Sequence, residues 1–139
     1  MNALDLMIPH STDAEQSVIG AVLIKSSAMD EIGSLKPDHF YVAAHREIYR
    51  VMLDMVVAGK QIDVITLAES IGDKGLDDVT GGLSYIAEIA HNVPSAANVK
   101  HYAEIVQAKS IERQLLAACA EIGSAVRSNG TTKDKLNKA

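Results

Sequence analysis

Five histidines, at positions 10, 39, 45, 91 and 101, are the side chains best suited to acid–base or metal chemistry in this 139-residue chain. None forms a His-x-x-x-His pair, and no carboxylate completes a recognisable zinc set around them. His45 falls on the apolar face of a helical pattern, which predicts a core or capping histidine rather than a base. Asp77-Asp78 lacks the rest of a calcium loop and reads as a solvated turn. Gly59-Lys60 is the sole Gly-Lys pair, with Asp54 where a phosphate-binding loop needs its first glycine and Gln61 where it needs Ser or Thr. Gly75 and Gly81-Gly82 follow no strand and read as turn punctuation. Cys119, a lone thiol inside an apolar-patterned helix, is expected to be a small buried hydrophobe. No catalytic, cofactor-binding or metal residue is therefore predicted in this chain.

Composition narrows the classes further. Hydrophobic residues make up 47% of the chain and charged residues 22%, with one Phe, four Tyr and no Trp. A core built from Ala, Ile, Leu, Val and Met favours helices over sheets. A net charge of −5 denies the whole surface the basic footprint of a phosphate clamp. One cysteine removes any disulfide framework. Met1–Ile8 has neither a basic segment nor a long apolar run, and no apolar stretch reaches the ~18 residues of a membrane span, so a cytoplasmic protein is expected.

Residues 1–10 read as a flexible arm ended by Pro9, followed by a head over residues 11–97. Thr12 and Glu15 fit a capping box that opens a first helix to about Lys25. Ala14, Val18, Ala21 and Val22, widened by Ile19 and Leu23, predict a largely buried helix. Gly20 in its middle costs ~1 kcal/mol relative to Ala and predicts close packing against another backbone. A short helix follows at Ser27–Ile32. Next comes a third, with His45, Ile48, Tyr49, Met52 and Val56 facing inward and Gly59 beyond its end. Asp63 caps a fourth helix carrying Leu67, Ala68 and Ile71, and Asp77, Asp78 and Val79 are expected to prolong the turn after it. A fifth covers about Leu83–His91, with Tyr85, Ile86 and Ile89 on its apolar side. The fold predicted is all-α: a compact bundle of about five or six helices followed by a long projecting helix.

That long helix follows Pro94 and runs over residues 98–127. Val99, Tyr102 and Val106 are expected to fasten it to the head, with the stems of Lys109 and Arg113 packing while their charges stay wet. Beyond them Ile111, Leu115, Ala118, Ile122 and Val126 recur at steps of three and four, a short heptad-like seam that predicts contact with another subunit. The alternative is a break near Gly123. Residues 128–139 begin with a turn signal at Asn129-Gly130, and a further helix starting near Thr132 is expected to be too short to be stable.

Several blocks in this order resemble one family. They are Pro9-His10-Ser11 with Ala14-Glu15-Gln16-Ser17-Val18-Ile19-Gly20; Phe40-Tyr41 with His45-Arg46 and Ile48; Ile62-Asp63 with Thr66-Leu67-Ala68-Glu69; Gly81-Gly82 with Tyr85-Ile86; Asn92-x-Pro94-Ser95-Ala96-Ala97-Asn98; and Tyr102-Ala103-x-Ile105-Val106. Together they resemble the amino-terminal domain of bacterial DnaB-type replicative DNA helicases over about Pro9–Arg127. The resemblance implies a helical head and a helical hairpin whose pairing builds the collar of a hexamer, a trimer of dimers. In that family the collar receives primase, and loaders or phage proteins regulate the assembly. A separate carboxy-terminal motor binds ATP and Mg and moves on single-stranded DNA. The first hairpin arm would be Asn98–Arg127, the turn Ser128–Thr131, and the second arm would start at Thr132. That second arm departs from the family pattern: it is short and carries Lys133, Lys135 and Lys138. An excised domain of a longer helicase, or a phage- or plasmid-borne relative, would explain it.

The leading expectation is thus a non-catalytic assembly and docking domain. Two other readings stand beside it: the helicase-binding domain of primase, which resembles this head in fold, and a helical module that contacts DNA through Arg46, Arg50 and Lys60.

Overall fold

The computed structural model describes residues 8–138; most of the arm expected over residues 1–10 lies outside them. Among the described residues the chain forms seven α-helices and no strand. They are α1 Thr12–Ile24, α2 Ala43–Val57, α3 Val64–Asp73, α4 Asp77–Thr80, α5 Gly82–Asn92, α6 Val99–Arg127 and α7 Thr132–Lys138, with 3-10 turns at Ser26–Glu31, Pro37–His39 and Ala96–Asn98.

Helix α1 is the centre of the head. It packs against α2, α5 and α6, while α3 and α4 lie on the far side against α2 and α5. Val18, Ile19, Ala21 and Val22 have no exposed surface, and burying each of the larger aliphatic side chains contributes roughly 1.5–3 kcal/mol. Gly20 is the contact point. A Cβ there would lie 2.8 Å from Val93 Cβ and 3.0 Å from the Ile89 carbonyl oxygen, so only glycine lets α1 approach the end of α5 this closely.

The start of α1 differs from the sequence expectation. Ser11, with extended backbone, is the N-cap, and its Oγ accepts from the Ala14 amide at 3.1 Å. Thr12 is already helical. Glu15 does not reach back to the cap; it is buried and bonded to residues near the start of α2. Its long-range partners outweigh a local cap that Ser11 already supplies.

In α2 the inward residues are His45, Ile48, Tyr49, Val51, Met52 and Met55. Val56, expected to face inward, is about half exposed; the buried face is rotated toward Met55 because α3 and α4 pack on that side. Gly59, at φ +73°, ends the helix in the left-handed conformation. Asp63 caps α3 reciprocally with Thr66: its Oδ1 accepts from the Thr66 amide at 2.8 Å and its own amide donates to Thr66 Oγ1 at 2.9 Å. The bond from the Thr66 amide, helped by the Thr66 hydroxyl and the Ile65 amide, holds the Asp63 carboxyl below its ordinary value. Residues Asp77–Thr80, expected to be turn, make one helical turn instead, tied by Thr80 Oγ1 donating to the Leu76 carbonyl.

Helix α6 runs 29 residues without a break at Gly123, about 44 Å at 1.5 Å per residue. Its buried residues end at Ser110. Helix α7 forms despite its seven residues. Two features support it: Thr131 and Asp134 bond to each other's backbone amides, and the helix packs against α6. No described helix is long and apolar enough to cross a membrane.

Candidate functional site

Polar side chains enter the head at one place, where α1, α2 and α5 meet. Glu15 Oε2 accepts from the Tyr41 amide at 2.8 Å, and Oε1 accepts from the Val42 amide at 3.2 Å and from His45 Nδ1 at 2.8 Å. His45 Nε2 lies 2.7 Å from the Tyr85 hydroxyl, which also accepts from Gln16 Nε2 at 3.0 Å. The chain of bonds closes with His45 donating through Nδ1 and the Tyr85 hydroxyl donating to Nε2. Val42, the N-cap of α2, offers no side-chain cap; the carboxylate of α1 supplies it, where the helix dipole favours negative charge. His45 is a core histidine with both ring nitrogens engaged. No buried side-chain polar atom among the described residues lacks a partner. The buried groups of Glu15 and His45 are spent inside the head, which makes the cluster a device for positioning α2.

A second cluster holds the root of α6. The Arg113 guanidinium donates to the carbonyls of Pro9 and His39, each at 2.8 Å, and lies 5.4 Å from the centre of the Tyr41 ring, on which His10 stacks at 4.5 Å. The Arg113 charge, expected to stay in water, is taken by the carbonyls of two loops, because both loops converge on the helix where it leaves the head. Burial, reinforced by the charges of Lys36 and Arg113 and opposed by Asp38, holds His39 below its ordinary pKa. In keeping with a neutral ring, His39 Nδ1 accepts from the Lys36 amide at 2.9 Å.

Along α6 two faces separate. Val99, Ala103, Val106 and Ser110 are buried, and Tyr102 is half-buried against the core. Ile111, Leu115, Ala118, Ile122 and Val126 lie about 130° around the helix from that face and within about 80° of one another, at 3.6 residues per turn. All five are exposed, the four large ones between 44% and 61%. Leu116, which the heptad spacing passes over, is also exposed, about 120° around the helix from the centre of this stripe. Cys119 is exposed, contrary to expectation; it sits beyond Arg113, past the loops that hold the root of α6.

Each of the three basic residues considered for DNA has carbonyl or carboxylate groups beside it. Arg46 donates to the carbonyls of Phe40 and Tyr41, Arg50 pairs with Glu47 and Asp38, and Lys60 lines a groove with Asp63, Glu69 and Asp73. Among the described residues no group of three or more His, Cys, Asp or Glu could hold a metal ion.

A head of this architecture continued by a projecting helix matches the family model for the DnaB-like helicase N terminal domain over residues 7–108. The chain belongs to that family. The DnaB replicative DNA helicase of Pasteurella multocida is 40% identical over 134 residues, covering 94% of this chain and 29% of that protein. The replicative DNA helicase DnaC of Bacillus subtilis is 38% identical over 119 residues, 85% of this chain and 26% of that one. This DnaB-like domain thus spans under a third of such relatives. Among solved structures, the N-terminal domain of DnaB helicase from Mycobacterium tuberculosis superposes with a TM-score of 0.89 at 30% identity, covering 95% of this chain and 94% of that one. A DnaB-like replicative helicase described with its interactions with primase gives a TM-score of 0.73 at 28% identity, over 84% of this chain and 28% of that one.

Proposed function

We propose that this DnaB-like domain is the assembly and docking part of a hexameric replicative helicase, forming the collar on which primase and a loader are received. The observation that carries the reading is the row Ile111, Leu115, Ala118, Ile122 and Val126, apolar at coiled-coil spacing and exposed on a helix that has left the head. Burying the four large members on two copies recovers roughly 9 kcal/mol, about half of each side chain's full value. Association itself costs about 4–15 kcal/mol. Pairing through the stripe is therefore concentration-dependent, and further contacts decide how far assembly proceeds. ATP hydrolysis with Mg, and movement along DNA, would belong to a motor outside this chain.

Primase is the proposed docking partner because a relative of the same architecture is described with its interactions with primase. Sedimentation of the domain over a range of concentrations, with and without primase, tests both parts. A mass rising from monomer to dimer and beyond, and a further shift with primase, is expected. A monomer at every concentration that leaves primase unshifted would overturn the proposal.

A further inference from the structure

Charge in this chain is divided by position. Residues 122–139 carry Arg127, Lys133, Lys135 and Lys138 against Asp134, a net +3 in a chain whose total is −5, which leaves −8 on residues 1–121. The basic end is the turn and α7 at the far end of α6. Arg127, Lys133 and Lys138 are exposed there and Lys135 is half-buried, and among the described residues none of the four forms an ion pair. Asp134, the one acidic residue of α7, is committed to its cap through Thr131, and Glu121 of α6 lines a hollow with Lys138. Leu136 stands among these lysines and is 74% exposed.

The opposite combination occurs on the head. Ile65, Glu69 and Asp73 follow one another at steps of four on α3, all exposed, and α4 adds exposed Asp77, Asp78 and Val79. The cations nearby are Lys60 at the groove and Lys74, which is paired with Asp54 at 2.6 Å. One surface is basic around a leucine, the other acidic around an isoleucine and a valine.

We infer that the basic tip formed by Arg127 and α7 of one copy docks on the acidic α3–α4 face of another copy. The same chain cannot make this contact with itself. Seventeen helical steps lead from Ser110, the last buried residue of α6, to Arg127, about 25 Å at the helical rise. Helix α6 lies against α1, whereas α3 and α4 lie against α2 and α5. The contact is heterologous, tip to head. It differs from a stripe that pairs with its own kind, and two unlike contacts per chain allow assembly beyond a dimer. Opposed charges also set the register and speed the encounter.

This inference rests on the proposed self-assembly, and the experiment separates the two. Sedimentation velocity at high protein concentration compares the parent with a tip reversal, Lys133→Glu/Lys135→Glu/Lys138→Glu, a head reversal, Glu69→Lys/Asp73→Lys/Asp78→Lys, and the chain carrying both. Each is run at low and high salt. The parent is expected to form species larger than a dimer that fall to the dimer at high salt, since the Debye length drops from about 10 Å to about 3 Å between 0.1 and 1 M. Either reversal alone weakens the larger species roughly tenfold or more, because like charges then face each other. The combined reversal restores them. Circular dichroism verifies that each variant is folded.

A dimer that ignores salt and both reversals overturns the tip-to-head contact and leaves the stripe standing. A parent that is monomeric throughout overturns both. A labelled single-stranded oligonucleotide supplies the remaining arm. If the tip reversal abolishes its binding while leaving the protein mass unchanged, the tip is a nucleic-acid surface and the inference is wrong.

Discussion

Replacing Glu15 tests the buried cluster most severely. Its carboxylate accepts from the amides of Tyr41 and Val42 and from His45 Nδ1, and it has almost no exposed surface. Glu15→Ala leaves two main-chain donors and one imidazole donor without an acceptor in the interior. A hydrogen bond to a charged group contributes about 1.5–3 kcal/mol, and each buried donor left without an acceptor costs about 1–3 kcal/mol. A loss of about 4 kcal/mol is therefore expected, a large share of the 5–15 kcal/mol that typically separates folded from unfolded chains. Glu15→Gln keeps the shape but turns an amide N–H toward a donor, so about half that loss is expected. Urea denaturation followed by far-ultraviolet circular dichroism measures both. Because Glu15 and His45 act on each other, a cycle with His45→Ala should be non-additive. Hydrogen exchange at the Tyr41 and Val42 amides adds a local readout: strong protection in the parent, lost in Glu15→Ala. If both variants stay within about 0.5 kcal/mol of the parent, as ordinary surface substitutions do, the cluster does not cap α2 and the reasoning is wrong.

Three further expectations rest on single contacts. Gly20→Ala places a methyl group 2.8 Å from Val93 Cβ and is expected to cost about 1–3 kcal/mol as overpacking, seen as a lower denaturation midpoint with an unchanged slope. Burial pushes the Tyr49 hydroxyl up to about 12, whereas in the unfolded chain it ionises near 10. Stability is therefore full below pH ~10 and falls by up to roughly 3 kcal/mol as pH rises toward ~12; in Tyr49→Phe this alkaline step should shrink. Arg113→Lys keeps the charge but cannot span both carbonyls with a planar fork, so the loops carrying Pro9 and His39 should exchange their amides faster while the core does not.

What the sequence could reveal followed from what each residue needs nearby. Gly20 was legible because glycine inside an apolar helix has few uses other than close approach, and Val93 and Ile89 are the partners it meets. Asp63 was legible because its partner, Thr66, is three residues away. Glu15 was not: its partners lie 26 to 30 residues on, and the nearer capping-box pattern offered a local use for the same carboxylate. One signal was available, since Glu15 and His45 each put a polar group on an otherwise apolar face and could satisfy each other. Cys119 failed for a different reason. Apolar periodicity looks the same whether a head or another chain covers it, and α6 outruns the head after Arg113. Val56 and Met55 are both apolar and adjacent, so only the placement of α3 and α4 decides which is buried.

The most direct test of self-assembly through the distal half of α6 is the solution mass of the parent beside Leu115→Glu and Ile122→Glu, by light scattering at high protein concentration. Both positions are exposed in the single chain, so the substitutions leave the head folded while placing charge inside any paired stripe. The expected result is a parent that rises above the monomer mass with concentration and two variants that remain folded monomers. Equal masses for all three would contradict the account.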